Sequence, residues 1–106
     1  MLVKVLMRRR MKNGNVREVF SLIRKIRARA MNQKGYISGE TLVDHSDPRR
    51  SLVIGTWQDM DDWLRWKEDT RRIELEAQLE PLLEGQTEYE AYVYSKHYLS
   101  VSGEND

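Results

Sequence analysis

Apolar positions alternate in some stretches of the chain and recur every three or four residues in others. Val3, Val5 and Met7 share one face of a two-residue repeat, with Leu2, Lys4, Leu6 and Arg8 on the other, which predicts an N-terminal strand. Asn13-Gly14 marks a turn. Val16, Val19, Phe20, Ile23, Ile26 and Ala30 then follow at helical spacing, with Arg17, Arg24, Lys25 and Arg29 on the other faces. Asn15 followed three residues later by Glu18 has the form of a capping box, and Lys34-Gly35 reads as the close of that helix. Residues 36–45 alternate again: Tyr36, Ser38, Glu40 and Leu42 against Ile37, Thr41, Val43 and His45, with Gly39 marking a bulge or a close backbone approach. A turn at Ser46-Asp47-Pro48-Arg49 leads to a third strand, Leu52 to Trp57, so the two strands form an antiparallel hairpin. Asp59 caps a second helix in which Met60, Trp63, Leu64 and Lys67 share a side. The helical pattern breaks near Asp69-Thr70, resumes through Ile73, Ala77 and Leu79, and ends by Pro81. Gln86 to Ser95 alternates as the last strand.

The order strand, helix, strand, strand, helix, strand predicts an α+β class fold, a ferredoxin-like βαββαβ unit with an antiparallel sheet and both helices on one face. It occupies residues 1–95; residues 96–106 form a C-terminal tail, an arm with a polar end, whose alternating Leu99 and Val101 suit a crossing to a partner. The strands are apolar on both sides. Leu2 and Leu6 oppose Val3 and Val5, Leu52 and Ile54 oppose Val53, and Tyr92 and Tyr94 share a side. Helices cover one sheet face only, so the other predicts a homodimer packed sheet to sheet.

The length of 106 residues suits one domain, and no stretch approaches the ~20 apolar residues of a membrane span. Lys4 interrupts the N-terminal apolar run, which therefore does not read as a signal peptide; a cytoplasmic location without a membrane partner is expected. The absence of cysteine excludes disulfides and thiolate chemistry, and His45 and His97 lie too far apart for a recognisable metal motif. The net charge of +1 hides a split. Residues 1–35 hold eleven basic side chains against Glu18 alone, and the rest of the chain seven basic against sixteen acidic. Placed on two adjacent helices, these halves are expected to neutralise each other, with no nucleic acid as partner.

Trp57, Trp63 and Trp66 fall within ten positions. Trp57 and Trp63 read as core, and Trp66, between Arg65 and Lys67, as either core or pocket. Together with the stretches Arg8-Arg9-Arg10-Met11-Lys12-Asn13-Gly14, Gln33-Lys34-Gly35-Tyr36-Ile37-Ser38-Gly39 and Thr56-Trp57-Gln58-Asp59-Met60-Asp61-Asp62-Trp63, this pattern resembles the antibiotic biosynthesis monooxygenase superfamily over residues 3–95. The resemblance implies a dimeric α+β barrel with a cavity between sheet and helices. It implies oxidation of a small aromatic or quinol-like ligand by dioxygen with no cofactor, neither metal nor flavin, the substrate anion supplying the electrons. Met7, Tyr36 and Trp66 are the expected cavity contacts, and Arg9 the group that steadies an oxyanion. The catalytic residues are left open. A haem-degrading branch resembles the same fold; its tryptophan matches Trp66, while Met7 and Glu76 stand at its asparagine and histidine positions. Other branches place a histidine where this chain has Trp66. A non-catalytic ligand-binding or structural dimer is the alternative reading.

Overall fold

The computed structural model describes the backbone through Ser102 and side chains through Ser100; the polar end expected for the tail lies outside the described residues. The elements are β1 (Val3–Arg10), α1 (Val16–Ala30), β2 (Tyr36–Val43), β3 (Arg50–Trp57), α2 (Met60–Lys67), α3 (Thr70–Leu79), a 3₁₀ turn at Glu80–Leu82, β4 (Glu88–Val93) and α4 (Ser95–Ser102). Their antiparallel sheet has the order β2-β3-β1-β4, the ferredoxin-like arrangement. Among the described residues, no helix is long and apolar enough to cross a membrane.

β1 follows its predicted alternation. Val3, Val5, Met7 and Arg9 face the helices and are buried, and pairing continues three residues past the expected end, to Arg10. α1 buries Val19, Leu22, Ile23 and Ala30 but differs at both ends. Asn15 makes no side-chain cap, because its backbone (φ −111°, ψ 6°) departs from the extended form that aims a capping side chain at the first amides. The helix stops at Ala30, where Gln33 N–H turns back to the Ala30 carbonyl. Gly35 is therefore a strand-leading glycine. Its φ is +85°, and an added Cβ would lie 2.1 Å from Asp62 Oδ2.

Asp59 and Asp69 cap α2 and α3, accepting from Met60 N–H at 2.8 Å and Arg71 N–H at 2.9 Å. Both helices turn a different face inward from the one their apolar spacing predicts. α2 buries Trp63 and Trp66 and exposes Leu64; α3 buries Arg72, Leu75 and Leu79 and exposes Ile73. With only eight residues, α2 buries more apolar surface by seating two tryptophans than by seating Met60 and Leu64.

Two core clusters result. One gathers Val3, Val5, Met7, Ala30, Trp57, Trp63 and Trp66 under α2; the other joins Met11, Val19, Leu22, Ile23, Leu75, Leu79 and Leu83 between α1 and α3. Two further expectations are corrected. Ser95–Ser102 is helical, so Leu99 and Val101 do not belong to an extended arm. The charged halves also do not cancel helix to helix. Among the described residues none of the five basic side chains of α1 forms an ion pair, while Arg10, Arg49 and Arg50 pair with Asp44, Asp47 and Glu84 at one end of the sheet. The physical reason is placement: Arg17, Arg24, Lys25, Arg27 and Arg29 lie outside the α1–α3 contact, which is made by apolar residues.

Candidate functional site

The cavity lies between the sheet and helices α1 and α2, and its floor follows from strand register. Gly39 of β2 pairs with Gly55 of β3, so two neighbouring positions of the helix-facing surface lack side chains. Trp57 and Tyr36 roof this hollow from the next row. A Cβ on Gly55 would lie 3.3 Å from Trp57 Nε1, and one on Gly39 would lie 2.5 Å from Tyr36 Oη. A bulge between Tyr36 and Ser38 shifts the repeat by one residue and brings Tyr36 onto the same face as Gly39 and Thr41. Strict alternation puts Tyr36 opposite Thr41; the bulge lies at Ile37, and Gly39 is the close approach.

An aromatic row spans the sheet from edge to edge. Tyr36 meets Trp57 edge-on at 5.3 Å, Trp57 meets Trp63 at 6.1 Å, and Trp63 meets Tyr89 at 6.0 Å. Trp66, 3% exposed, completes the wall with Met7, Val53 and Ala30. The free space is about 50 Å³, room for a few waters, whereas pockets that hold a drug-sized ligand run to roughly 300–1,000 Å³. Its more exposed rim includes Arg27, Glu40 and Tyr36, the last on the edge strand β2.

Polar groups enter this apolar space from two directions. Tyr36 Oη is buried without a hydrogen-bond partner. Arg9, 4% exposed, donates through Nη2 to Glu76 Oε1 at 2.6 Å, and its Nε is also buried without a partner. Arg72, equally buried, reaches the same Glu76 oxygen at 3.2 Å, donates to Tyr89 Oη at 2.6 Å and to the Lys67 carbonyl at 3.2 Å, and lies over the ring of Trp63. Met7, Arg9, Tyr36 and Trp66 therefore stand together at the cavity. Glu76 does not line it: it sits behind Arg9 and Arg72, facing a surface groove between α3 and β4. Arg72 is the residue that the sequence reading missed. Its signal was the spacing Arg72, Leu75, Leu79, an inward helical stripe opened by an arginine.

The fold agrees with comparisons to known proteins. No curated protein matches the chain in sequence. In structure, it is similar to a conserved protein of Methanosarcina mazei Go1 (TM-score 0.82, 17% identity, covering 87% of this chain and 91% of that one). It is also similar to SnoaB, a cofactor-independent oxygenase of Streptomyces nogalater (TM-score 0.80, 18% identity, 88% and 92%). Rv0793 of Mycobacterium tuberculosis has the same fold (TM-score 0.80, 11% identity, 89% and 95%). The profile of the antibiotic biosynthesis monooxygenase family matches residues 2–72, from the first strand through the tryptophan-bearing helix to Arg72, and the chain belongs to that family.

Proposed function

We propose that this protein is a cofactor-independent monooxygenase that oxidises a small aromatic or quinol-like metabolite with dioxygen. The observation that carries the reading is the tryptophan-walled cavity into which two buried donors, Arg9 Nε and Tyr36 Oη, project without partners. The described activity of SnoaB supports the same reaction type. A substrate ring fills the apolar space once Tyr36 turns aside. An enol or phenol of that ring loses its proton, and the resulting anion passes electrons to dioxygen. A ring C–H carbon conjugated to that oxygen becomes a carbonyl with one atom of dioxygen, the second atom leaves as water with the hydrogens lost from that carbon and from the hydroxyl, and the substrate supplies all four electrons. The protein's part is to exclude bulk water with Trp57, Trp63 and Trp66 and to hold the ring oxygen by hydrogen bonds.

The reading includes a homodimer. On the sheet face away from the helices, Leu2, Leu42 and Tyr92 are exposed and Leu6, Leu52 and Ile54 half-buried, a patch that a second copy would cover. Sedimentation at micromolar concentration should give twice the chain mass; a single 12.6 kDa species overturns the dimer. Oxygen uptake with a panel of phenols and quinols tests the enzyme. Turnover with at least one member is expected, and Trp66→Ala should abolish it. Binding without uptake across the panel would favour the non-catalytic binding reading instead.

A further inference from the structure

Arg9 and Arg72 both line the cavity, both are nearly fully enclosed, and both pair with one carboxylate, Glu76, through the same oxygen. Two guanidiniums face one carboxylate, so this buried cluster is net positive. The other charged lining groups, Arg27 and Glu40, offset each other at the exposed rim. Arg72 places Nη1 on the Lys67 carbonyl and Nη2 on Glu76 and Tyr89, whereas Arg9, also a lining residue, keeps a buried Nε without a partner. An unmatched buried charge is costly and is ordinarily met by a partner ion. At the other end, over Gly39, stands the unpartnered Tyr36 hydroxyl. The backbone rows of these ends, Arg9 with Ser51 and Gly39 with Gly55, are four residues apart along β3, roughly 13 Å of strand.

We infer that the ligand of this cavity is an aryl carboxylate, its acid group paired with Arg9 and a ring hydroxyl or carbonyl at the far end bonded to Tyr36. This rests on the proposal that the cavity is the ligand site, and it adds the ligand's charge. A carboxylate arrives ionised and completes the cluster. A plain phenol, ordinarily titrating near pH ~10, leaves Arg9 unmatched unless it first gives up its proton.

The test is binding under nitrogen, so that no oxidation intervenes, of a hydroxynaphthoate, its methyl ester and the parent naphthol. All three tryptophans of the chain line the cavity, so quenching of their fluorescence reports occupancy. The acid should bind at least about tenfold tighter than the ester and the naphthol, the usual difference made by one charged hydrogen bond. Arg9→Gln should bring acid and ester within about twofold of each other. Equal binding of acid and ester, undiminished preference in folded Arg9→Gln, or no binding of any of the three overturns the inference. Should Arg9→Gln fail to fold, Glu76→Gln serves in its place. It removes the competing carboxylate, so the acid preference should grow, and no growth counts against the inference. Failure here is separable from failure of the oxygenase reading. Acid preference without oxygen uptake removes only the oxygenase, and uptake with neutral quinols but no acid preference removes only the carboxylate.

Discussion

Arg8 and Arg9 are neighbours on one strand and meet opposite circumstances. Arg8 points to the open sheet face, where it pairs with Glu90 at 2.6 Å; Glu90 also accepts from Tyr92 Oη, and Lys4 donates to Thr56 at 3.0 Å. Arg9 points under the helices, shares its carboxylate with Arg72 and has Nε unmatched beside Ser51, whose hydroxyl also lacks a partner. The named polar groups of the open face are matched in pairs, although water would have served them. Those of the covered face are left short where water is excluded and the cost of an unmet donor is highest. Folding alone gives no reason for that arrangement. The imbalance marks the covered face as the one prepared for something else, and the open face as an ordinary surface.

The largest way to break this comparison is Glu76→Ala. Stranding two buried guanidiniums should cost about 3–5 kcal/mol in urea unfolding. Replacing Arg9, Glu76 and Arg72 together by Met should recover most of that loss, since apolar residues of similar volume need no partners. A loss from Glu76→Ala no larger than that from Glu90→Ala would mean the two faces do not differ. A smaller effect of opposite sign comes from Tyr36→Phe. Removing an unpartnered buried hydroxyl should stabilise the free protein by about 1 kcal/mol, read as a raised Tm, and weaken hydroxyl-bearing ligands. If the variant is instead less stable, Tyr36 Oη has a partner in solution. The smallest effect is expected on the open face. The Tyr92 hydroxyl first, and then Arg8, hold the Glu90 carboxyl below its ordinary range. The folded value is the depressed one, so this contribution is complete above the ordinary carboxylate range and lost as pH falls through the folded value. The Tm gap between wild type and Glu90→Gln should be small at neutral pH and close in acid; a gap that persists in acid would assign Glu90 a role beyond its charge.

Elements written in local chemistry were legible in the sequence. The alternation of Val3, Val5 and Met7, the hairpin around Pro48, the aspartate cap at position 59 and the helix break at Asp69-Thr70 each depend on a few adjacent residues. The same is true of the family likeness, which rests on short stretches around Gly14, Gly35 and Trp57. What was not legible depends on partners distant in the chain. Trp66 reads as half polar beside Arg65 and Lys67, yet it is buried in the core cluster that holds Val3, Val5, Met7, Ala30, Trp57 and Trp63. Arg72 looks like one more charge on a polar helix beside Glu76, until Tyr89 is brought to it and Arg9 to the same carboxylate. The charge split was visible, but its placement was not, since helix rotation decides whether opposite charges meet.

The sequence by itself determined the order of strands and helices from β1 to β4 and the presence of tryptophans enough for an apolar wall, because periodicity and capping act over one or two turns. Only the tertiary structure decided that a one-residue bulge turns Tyr36 inward, that Gly39 and Gly55 fall side by side to hollow the sheet, and that two arginines 63 residues apart in the chain, Arg9 and Arg72, converge on one carboxylate. Register and helix rotation are set by the sum of many packing contacts, and a site built from six elements exists only after all of them have docked.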